Sequence, residues 1–434
     1  MTPESSPRVS PESDASFAIH DRFRALRHRN FRLYWSGQLV SLIGTWMQSV
    51  AQGWLMHRLT SSPFMLGLLS FLQFVPVLMW SLWAGVVADR VDKRRLLVVT
   101  QSCFFVQALL LAAIVTLGVV RPWMVLALAF AYGTFNAFDL PVRQAFLIDM
   151  VGKEDLSNGI ALNSAAFNAA RVIGPAIAGL LVASVGEGGC FWINALSYLA
   201  VIASLLRIRI ARGAPSRTAG ERATLMDGVR YALATGPLRN LLLLLGLVAG
   251  IGFQYMVLLP VYARDILQSG AATYGWLVSA FGLGSLVSAV LLMRRMDRWD
   301  LRRNLQIGLV AATIGMAGFA WSRSLPLSLA MGFLAGFGLI TYVASTNTLL
   351  QLTTEDRMRG RVMSLYTLMF VGTAPFGALL CGAIAQRFGA PSATSLSAAV
   401  LLLGTVWVTW RLRVIAAREA AAAAAPATHT ERLG

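Results

Sequence analysis

The chain has 434 residues, of which 56% are hydrophobic and only 13% are charged. Soluble domains usually contain about 25% charged residues, so this composition excludes an ordinary soluble protein and indicates that the lipid bilayer is the solvent. The formal net charge of +17 does not require a nucleic acid partner, because basic cytoplasmic loops orient a membrane protein without binding anything.

The chain begins with a polar segment, residues 1–30, which we expect to be a disordered cytoplasmic tail and not a signal peptide. Six long apolar runs follow in residues 31–207, and six more in residues 238–413. A bilayer core of about 30 Å needs about 20 apolar residues of helix, so each run can span it. The expected spans lie near 33–57, 64–88, 96–118, 122–148, 158–184, 190–207, 240–262, 272–292, 304–322, 325–350, 361–386 and 392–412.

A polar linker over residues 208–237 separates the two sets of spans, and an alanine-rich cytoplasmic tail is expected over residues 414–434. We therefore predict an all-α membrane protein with twelve transmembrane helices in two related six-helix bundles. Loops that carry several arginines alternate with loops that carry isolated charges such as Arg121. Because basic loops remain in the cytoplasm, both termini should be cytoplasmic, in a bacterial inner membrane.

An internal repeat supports the two bundles. The pattern D-R-x-D-x-R-R occurs at residues 89–95 and again 208 residues later, each time between the second and third spans of its half. Glu154-Asp155 and Glu355-Asp356 correspond between the fourth and fifth spans, 201 residues apart. Three correspondences, including Gly174-Pro175 with Ala374-Pro375, at similar offsets indicate duplication of a six-helix unit.

These motifs resemble those of the major facilitator superfamily, and the resemblance covers residues 31–413. Gly85, Asp89, Arg90 and Arg94 match its signature loop G-x-x-x-D-R-x-G-R-[RK], while Asp92 stands where glycine is usual. The resemblance implies two bundles that expose a central cavity alternately to each side of the membrane.

Two further blocks narrow the resemblance. Residues 136–151 and 347–366 are similar to the exporter branch that includes the enterobactin exporter and macrolide or multidrug efflux proteins. Residues 174–179 resemble the antiporter motif G-P-x-x-G-G, in which Gly174, Pro175 and Gly179 should allow close helix packing. Ala129 stands four residues before Gly133, where many drug antiporters have an arginine, so proton coupling by that arginine is excluded.

The signature loop is expected to act as a cytoplasmic gate. Gly85 should permit close helix approach, Asp89 should sit at the amino end of the eleventh span, and Arg90 and Arg94 should reach Asp149. Asp297 and Arg298 should form a weaker second latch. The alternative is a tight basic hairpin that only sets topology.

Polar residues recur on one face of three spans, where an ion or amide is costly unless it faces a cavity or a partner. We interpret these residues as the wall of a central substrate cavity. They are Gln38, Ser41, Thr45, Gln48 and Gln52 in the first span, Asn136, Asp139 and Arg143 in the fourth, and Ser164, Asn168 and Arg171 in the fifth.

Asp139 and Arg143 are four residues apart and can form an ion pair on one helix. One interpretation is a neutralised structural pair. The other is that Asp139 carries a proton across the membrane while its contact with Arg143 opens and closes.

The sequence therefore predicts a secondary active exporter of hydrophobic or amphipathic small molecules, driven by proton antiport. Its partners would be the substrate, protons and the bilayer, with no nucleic acid and no cofactor, and it would act as a monomer. A siderophore exporter of narrow specificity and an uncoupled nutrient uniporter remain alternatives. A membrane enzyme or receptor is disfavoured, because the sequence has no metal-ligand cluster, nucleophile constellation or phosphate loop.

Overall fold

A computed structural model describes residues 23–208, 225–295 and 300–424, and these form helices without a strand. A short 3₁₀ helix, Arg24–Arg27, precedes the first long helix. The α-helices are α1 Arg29–Thr60, α2 Pro63–Arg90, α3 Lys93–Thr116, α4 Pro122–Val151, α5 Leu156–Arg207, α6 Leu225–Ala234, α7 Gly236–Leu247, α8 Tyr255–Val261, α9 Ala271–Arg295, α10 Leu301–Trp321, α11 Leu325–Thr353, α12 Asp356–Gly372, α13 Ala374–Phe388 and α14 Ala390–Ala424.

Ten segments within the described ranges are long and apolar enough to cross a membrane. One of them, α5, is 52 residues long and bends at Gly186, whose φ of 76° is non-helical, so it supplies two spans. The 32-residue helix α1 is also long enough, but its polar stripe lowers its hydropathy. The predicted all-α membrane protein is confirmed, and the observed helices are consistent with twelve spans.

The chain divides into two compact units. Unit 1 contains residues 1–61, 69–220 and 269–279, and unit 2 contains residues 62–68, 221–268 and 280–434. In unit 1, α1 packs closely on α5 because glycines remove side chains from the contact. A Cβ atom on Gly44 would lie 2.5 Å from Asn194 Oδ1, and one on Gly37 would lie 2.6 Å from Ser204 Oγ. The predicted domain boundaries at residues 31, 208 and 238 stay predictions.

Unit 2 contains an equally close helix pair, α10 with α11. Cβ atoms placed on Gly308, Gly315 and Gly338 would overlap backbone nitrogens of the facing helix. Small residues at these positions let the two backbones touch, which is how helices associate without a hydrophobic driving force in lipid.

Two long helical segments of unit 2 are each interrupted, and the two points of interruption are in contact. Between α7 and α8 the chain forms a π-helical turn, Val248–Gly252, and α12 ends at Gly372 directly before Pro375 opens α13. A Cβ atom on Gly377 would overlap the Gly250 carbonyl oxygen. The Thr373 hydroxyl donates to the Gly246 carbonyl at 3.3 Å.

The second aspartate of each D-R-x-D-x-R-R repeat has the same structural role. The Asp92 carboxylate accepts from the Arg95 backbone N–H at 3.0 Å and caps α3. The Asp300 carboxylate accepts from the Arg302 N–H at 2.9 Å and caps α10. Each aspartate satisfies a backbone donor at the start of the third span of its half. Asp297 and Arg298 lie outside the described residues.

Candidate functional site

The candidate site of unit 1 is built around Asp139 on α4, and Asp139 is 1% exposed. One carboxylate oxygen accepts from the Thr100 hydroxyl at 2.7 Å and from the Gln101 side-chain amide at 2.8 Å. The other accepts from Arg143 Nε at 2.9 Å and from a second nitrogen of the same guanidinium. Four donors therefore surround a buried carboxylate, and they stabilise its ionised form.

The chemistry of these donors limits what Asp139 can do. A protonated carboxyl group must donate one hydrogen bond, and only the Thr100 hydroxyl among these partners can accept it. The Gln101 amide and the guanidinium of Arg143 contribute donors alone at these contacts. Protonation of Asp139 therefore requires that its hydrogen bond with Thr100 reverse, and the Thr100 hydroxyl can then donate to the Leu97 carbonyl, which lies 3.1 Å away.

Aromatic residues complete the surroundings of the ion pair. Tyr34 from α1, Tyr132 from α4 and Tyr198 from α5 interact electrostatically with both Asp139 and Arg143. Tyr34 is 1% exposed, and its hydroxyl has no hydrogen-bond partner among the described residues. Asp139 is therefore buried near three tyrosines, while the Arg143 side chain remains 23% exposed.

The polar stripe of α1 lies inside unit 1. The Asn194 amide donates to Gln48 Oε1 at 2.8 Å, and Gln48 donates to Gln107 Oε1 at 3.1 Å. Gln52 donates to the Val125 carbonyl, at 3.5 Å. These side chains therefore link α1 to α3, α4 and α5, because a buried amide requires a partner.

The rest of the predicted cavity residues divide between the interior and the surface of unit 1. Gln38 and Ser41 are at most 5% exposed, and the Thr45 hydroxyl lies 3.2 Å from the Tyr198 hydroxyl. Asn136 and Arg171 are half-buried, and Ser164 is exposed. Asn168, also half-buried, donates to the Ser164 carbonyl at 2.9 Å. Contact of this whole set with a substrate stays a prediction.

At the signature loop, the structure corrects two predicted contacts. Asp149 pairs with Lys93 at 2.8 Å, not with Arg94. Arg94 instead donates to the carbonyls of Leu205 and Leu206 at 2.7 and 2.8 Å, because the last carbonyls of α5 have no partner within their helix.

The side chain of Arg90 is exposed. The Asp149 carboxylate, which Arg90 was predicted to reach, pairs with Lys93 instead. The close approach predicted at Gly85 is also wrong, since a Cβ atom there would meet no heavy atom within 4 Å. Asp89 lies near the end of α2. Its role in a gate stays a prediction.

The three residues predicted to allow close packing lie at tight contacts in unit 1. A Cβ atom on Gly174 would lie 2.6 Å from the Trp46 Cβ atom, and one on Gly179 would lie 2.9 Å from the Ala271 carbonyl. Pro175 is buried, and its carbonyl oxygen would overlap a Cβ atom placed on Gly275. Backbone meets backbone along this stretch of α5.

An ionic cluster that the sequence analysis missed joins the chain before α1 to the start of α5. The Asp155 carboxylate lies 2.8 Å from His28 Nε2 and 3.3 Å from Arg24 Nε. Asn158 accepts from the Ala25 backbone N–H at 3.0 Å. The hydrogen bond from His28, with the nearby charges of Arg24 and Arg27, holds the pKa of Asp155 below its usual value of 3.8.

Thr100 and Gln101 were also missed, although a signal for them was present. With Ser102 they form a polar triplet in the otherwise apolar run LLVVTQSCFF of the third span. Polar side chains at membrane depth usually find a partner, and Asp139 was the one buried acid proposed. Which faces of two helices meet is not given by hydropathy, so the sequence did not assign the contact.

Similarity to known proteins extends over nearly the whole chain. A family profile described as "Transmembrane secretion effector" matches residues 21–433. The multidrug efflux pump Tap of Mycolicibacterium fortuitum is 26% identical over 85% of this chain and 93% of its own. The enterobactin exporter EntS of Escherichia coli is 25% identical over 87% of this chain and 91% of its own.

A solved structure shows the same fold. The nucleoside transporter NupG superposes with a TM-score of 0.68 over 88% of this chain and 98% of its own, at 11% identity. The predicted major facilitator fold is therefore confirmed, as is the predicted resemblance to multidrug and siderophore exporters.

Proposed function

Since this chain belongs to the transmembrane secretion effector family of major facilitator transporters, we propose that it exports hydrophobic or amphipathic small molecules by proton antiport. The membrane would be the bacterial inner membrane, with both termini in the cytoplasm and one chain as the working unit. Relatives named for drug efflux and for siderophore export support this substrate range.

One observation carries the proposal of proton coupling: a buried carboxylate held by four donors, one of which can reverse its role. In the ionised state Asp139 is bound to Arg143 and Gln101. When a conformational change separates Arg143, the carboxylate loses its counter-charge in a low-dielectric site, and uptake of a proton becomes favourable. Return of Arg143 then expels that proton.

Antiport follows if the two protonation states of Asp139 belong to different transport states. The ionised, paired state would accompany one direction of opening, and the protonated state the other. The free energy of the proton gradient then drives substrate outwards through alternating access. The contact between Lys93 and Asp149, and the binding of Arg94 to the carboxyl end of α5, would stabilise one of these states.

The test uses everted membrane vesicles with an imposed pH gradient. Uptake of ethidium and of 1-naphthoate, a cationic and an anionic fluorescent probe, is measured for the wild type and for Asp139→Asn. We expect the gradient to drive uptake of at least one probe in the wild type, and Asp139→Asn to abolish the dependence on the gradient.

Two controls separate coupling from folding. Asp139→Asn leaves the half-buried charge of Arg143 without its carboxylate, so Asp139→Asn with Arg143→Gln restores neutrality and should remain folded but uncoupled. Glu154→Gln changes an exposed carboxylate outside the proposed gate and should retain coupling. Gradient-driven uptake that persists in both Asp139 variants would show that the proton binds elsewhere, and absence of uptake in the wild type would contradict the proposed export.

A further inference from the structure

Unit 2 contains two groups of aromatic rings that differ in burial. In the first, Tyr255 stacks on Phe281 at 4.0 Å between ring centroids, and Phe281 meets Phe319 edge to face at 5.2 Å. All three are at most 7% exposed, so this group is part of the packed core. The second group is only half-buried: Tyr366 packs on one side against a buried apolar cluster of unit 2, and part of the surface of each ring is left uncovered by the protein.

The second group, here called the ring platform, consists of Phe253, Tyr366 and Phe370. The rings of Tyr366 and Phe370 are one turn apart on α12 and nearly parallel, with centroids 6.1 Å apart and 12° between their planes. Phe253 meets Phe370 edge to face at 5.5 Å and 83°. Phe253 directly follows the π-helical turn Val248–Gly252, a type of irregularity that is frequent at functional sites.

Polar groups share the surface of the ring platform. The Asn347 side chain of α11 lies close to the Tyr366 hydroxyl, and Asn347 Oδ1 accepts from the Gln351 amide at 2.6 Å. Ser364 and Thr367, also on α12, are exposed. Amides and hydroxyls at membrane depth face a cavity or protein far more often than lipid, so this surface is suited to a ligand.

The carboxylates of the described spans in unit 2 lie away from the ring platform. The carboxylates within the described spans of unit 2 are Asp265 and Asp356, both close to the end of their segment. Asp356 pairs with Arg359 and begins α12, about 15 Å along the helix from Tyr366 at a rise of about 1.5 Å per residue. Within these spans no carboxylate lies at the depth of the ring platform, so a ligand there would be held by ring faces, amides and hydroxyls.

We propose that the ring platform, together with Asn347, binds a flat aromatic ring of the exported molecule, and that this part of the molecule bears oxygen substituents. The parallel faces of Tyr366 and Phe370 offer offset stacking, and Asn347 and Tyr366 offer a donor and an acceptor to a hydroxyl or carbonyl group. The inference rests on the proposed export function and names the chemical class that this surface would select.

The experiment measures equilibrium binding to the purified full chain in nanodiscs, so that it does not depend on transport. The probes are 1-naphthoate and its saturated counterpart decahydronaphthalene-1-carboxylate, which match in charge and skeleton but differ in the flat π-face. We expect the wild type to prefer naphthoate, and Phe370→Leu to reduce this preference by about five-fold, the magnitude of one lost stacking contact.

Two further variants complete the design. Phe388→Leu alters an exposed ring of unit 2 outside the platform and should keep the preference. Tyr366→Phe keeps the ring but removes the hydroxyl, so it should weaken the binding of naphthoate about three-fold or more while the stacking preference remains.

Failure to bind naphthoate, equal binding of the two acids by the wild type, or an unchanged preference in Phe370→Leu would overturn the inference. None of these results would contradict the proposed function, which is tested separately by gradient-driven uptake in vesicles.

Discussion

At the scale of single residues, the proposed change in protonation of Asp139 depends on contacts beyond its salt bridge with Arg143. Arg143 alone would neutralise the carboxylate, yet Thr100 and Gln101 from α3 add two donors to it. Donors from a second helix make the state of Asp139 sensitive to how α3 and α4 lie against each other. That sensitivity is what coupling of protonation to conformation requires.

Thr100→Val should destabilise the protein, because it removes a donor from a buried carboxylate while conserving side-chain shape. The expected loss is about 1–3 kcal/mol of unfolding free energy, measured by denaturant or thermal unfolding of the purified protein. Thr348→Val is the matched control, since that hydroxyl donates to Ala344 of its own helix at 3.1 Å. Equal stability of the two variants would argue against a charged Asp139 in the folded state.

The capping aspartates give a second prediction for single residues. Asp92→Ala and Asp300→Ala should each cost about 1 kcal/mol, because each removes the side chain that caps a helix. Asp92→Asn and Asp300→Asn should retain most of the stability, since asparagine is also a good cap. Thermal unfolding distinguishes the two sets, and equal losses for alanine and asparagine would show that charge, not capping, is responsible.

At the scale of helices, the paired interruptions of unit 2 depend on glycine. Gly377→Ala should be strongly destabilising, by several kcal/mol, since its Cβ atom would overlap the Gly250 carbonyl and force two backbones apart. Gly360→Ala, in open space on α12, should be neutral or slightly stabilising through better helix propensity. Folded yield and thermal stability measure both, and a tolerated Gly377→Ala would contradict the close contact.

The ionic cluster between the chain before α1 and the start of α5 should respond to acid. Because Asp155 has a lower pKa in the folded state than in the unfolded state, its ionised form stabilises the fold at neutral pH. That contribution is lost as the pH falls through the folded pKa, below about 4.

Thermal unfolding from pH 7 to pH 3 tests this dependence. Asp155→Asn should be less stable than the wild type at pH 7, and the difference should shrink in acid. Glu154→Gln, at the neighbouring exposed position, should follow the wild type at every pH. A constant difference between wild type and Asp155→Asn across the range would contradict the linkage.

At the scale of the whole molecule, the fold was predictable because long apolar runs and a repeated loop motif are properties of the sequence alone. The same reasoning found the pair of Asp139 and Arg143, since a spacing of four residues brings side chains together on any helix. It failed where contacts depend on the rotation of one helix against another. Lys93 instead of Arg94 at Asp149, and the amides of Gln48 and Gln107 facing each other, are such cases.

The contacts of the site were therefore predictable where both residues lie on one helix, and not where they lie on two different helices. The polar arc of α1 was assigned to a cavity wall because intramembrane amides require a polar environment. In unit 1 other amides supply that environment, with Asn194 and Gln107 as partners of Gln48. Hydropathy reports the need for a partner but not its identity.

The central claim, that Asp139 couples substrate export to proton movement, is tested most directly by counterflow. Proteoliposomes preloaded with unlabelled substrate are diluted into labelled substrate without a pH gradient, and accumulation is compared with that driven by a gradient. The account predicts that Asp139→Asn with Arg143→Gln retains counterflow and loses gradient-driven accumulation. Loss of both activities in a folded protein, or retention of both, would contradict it.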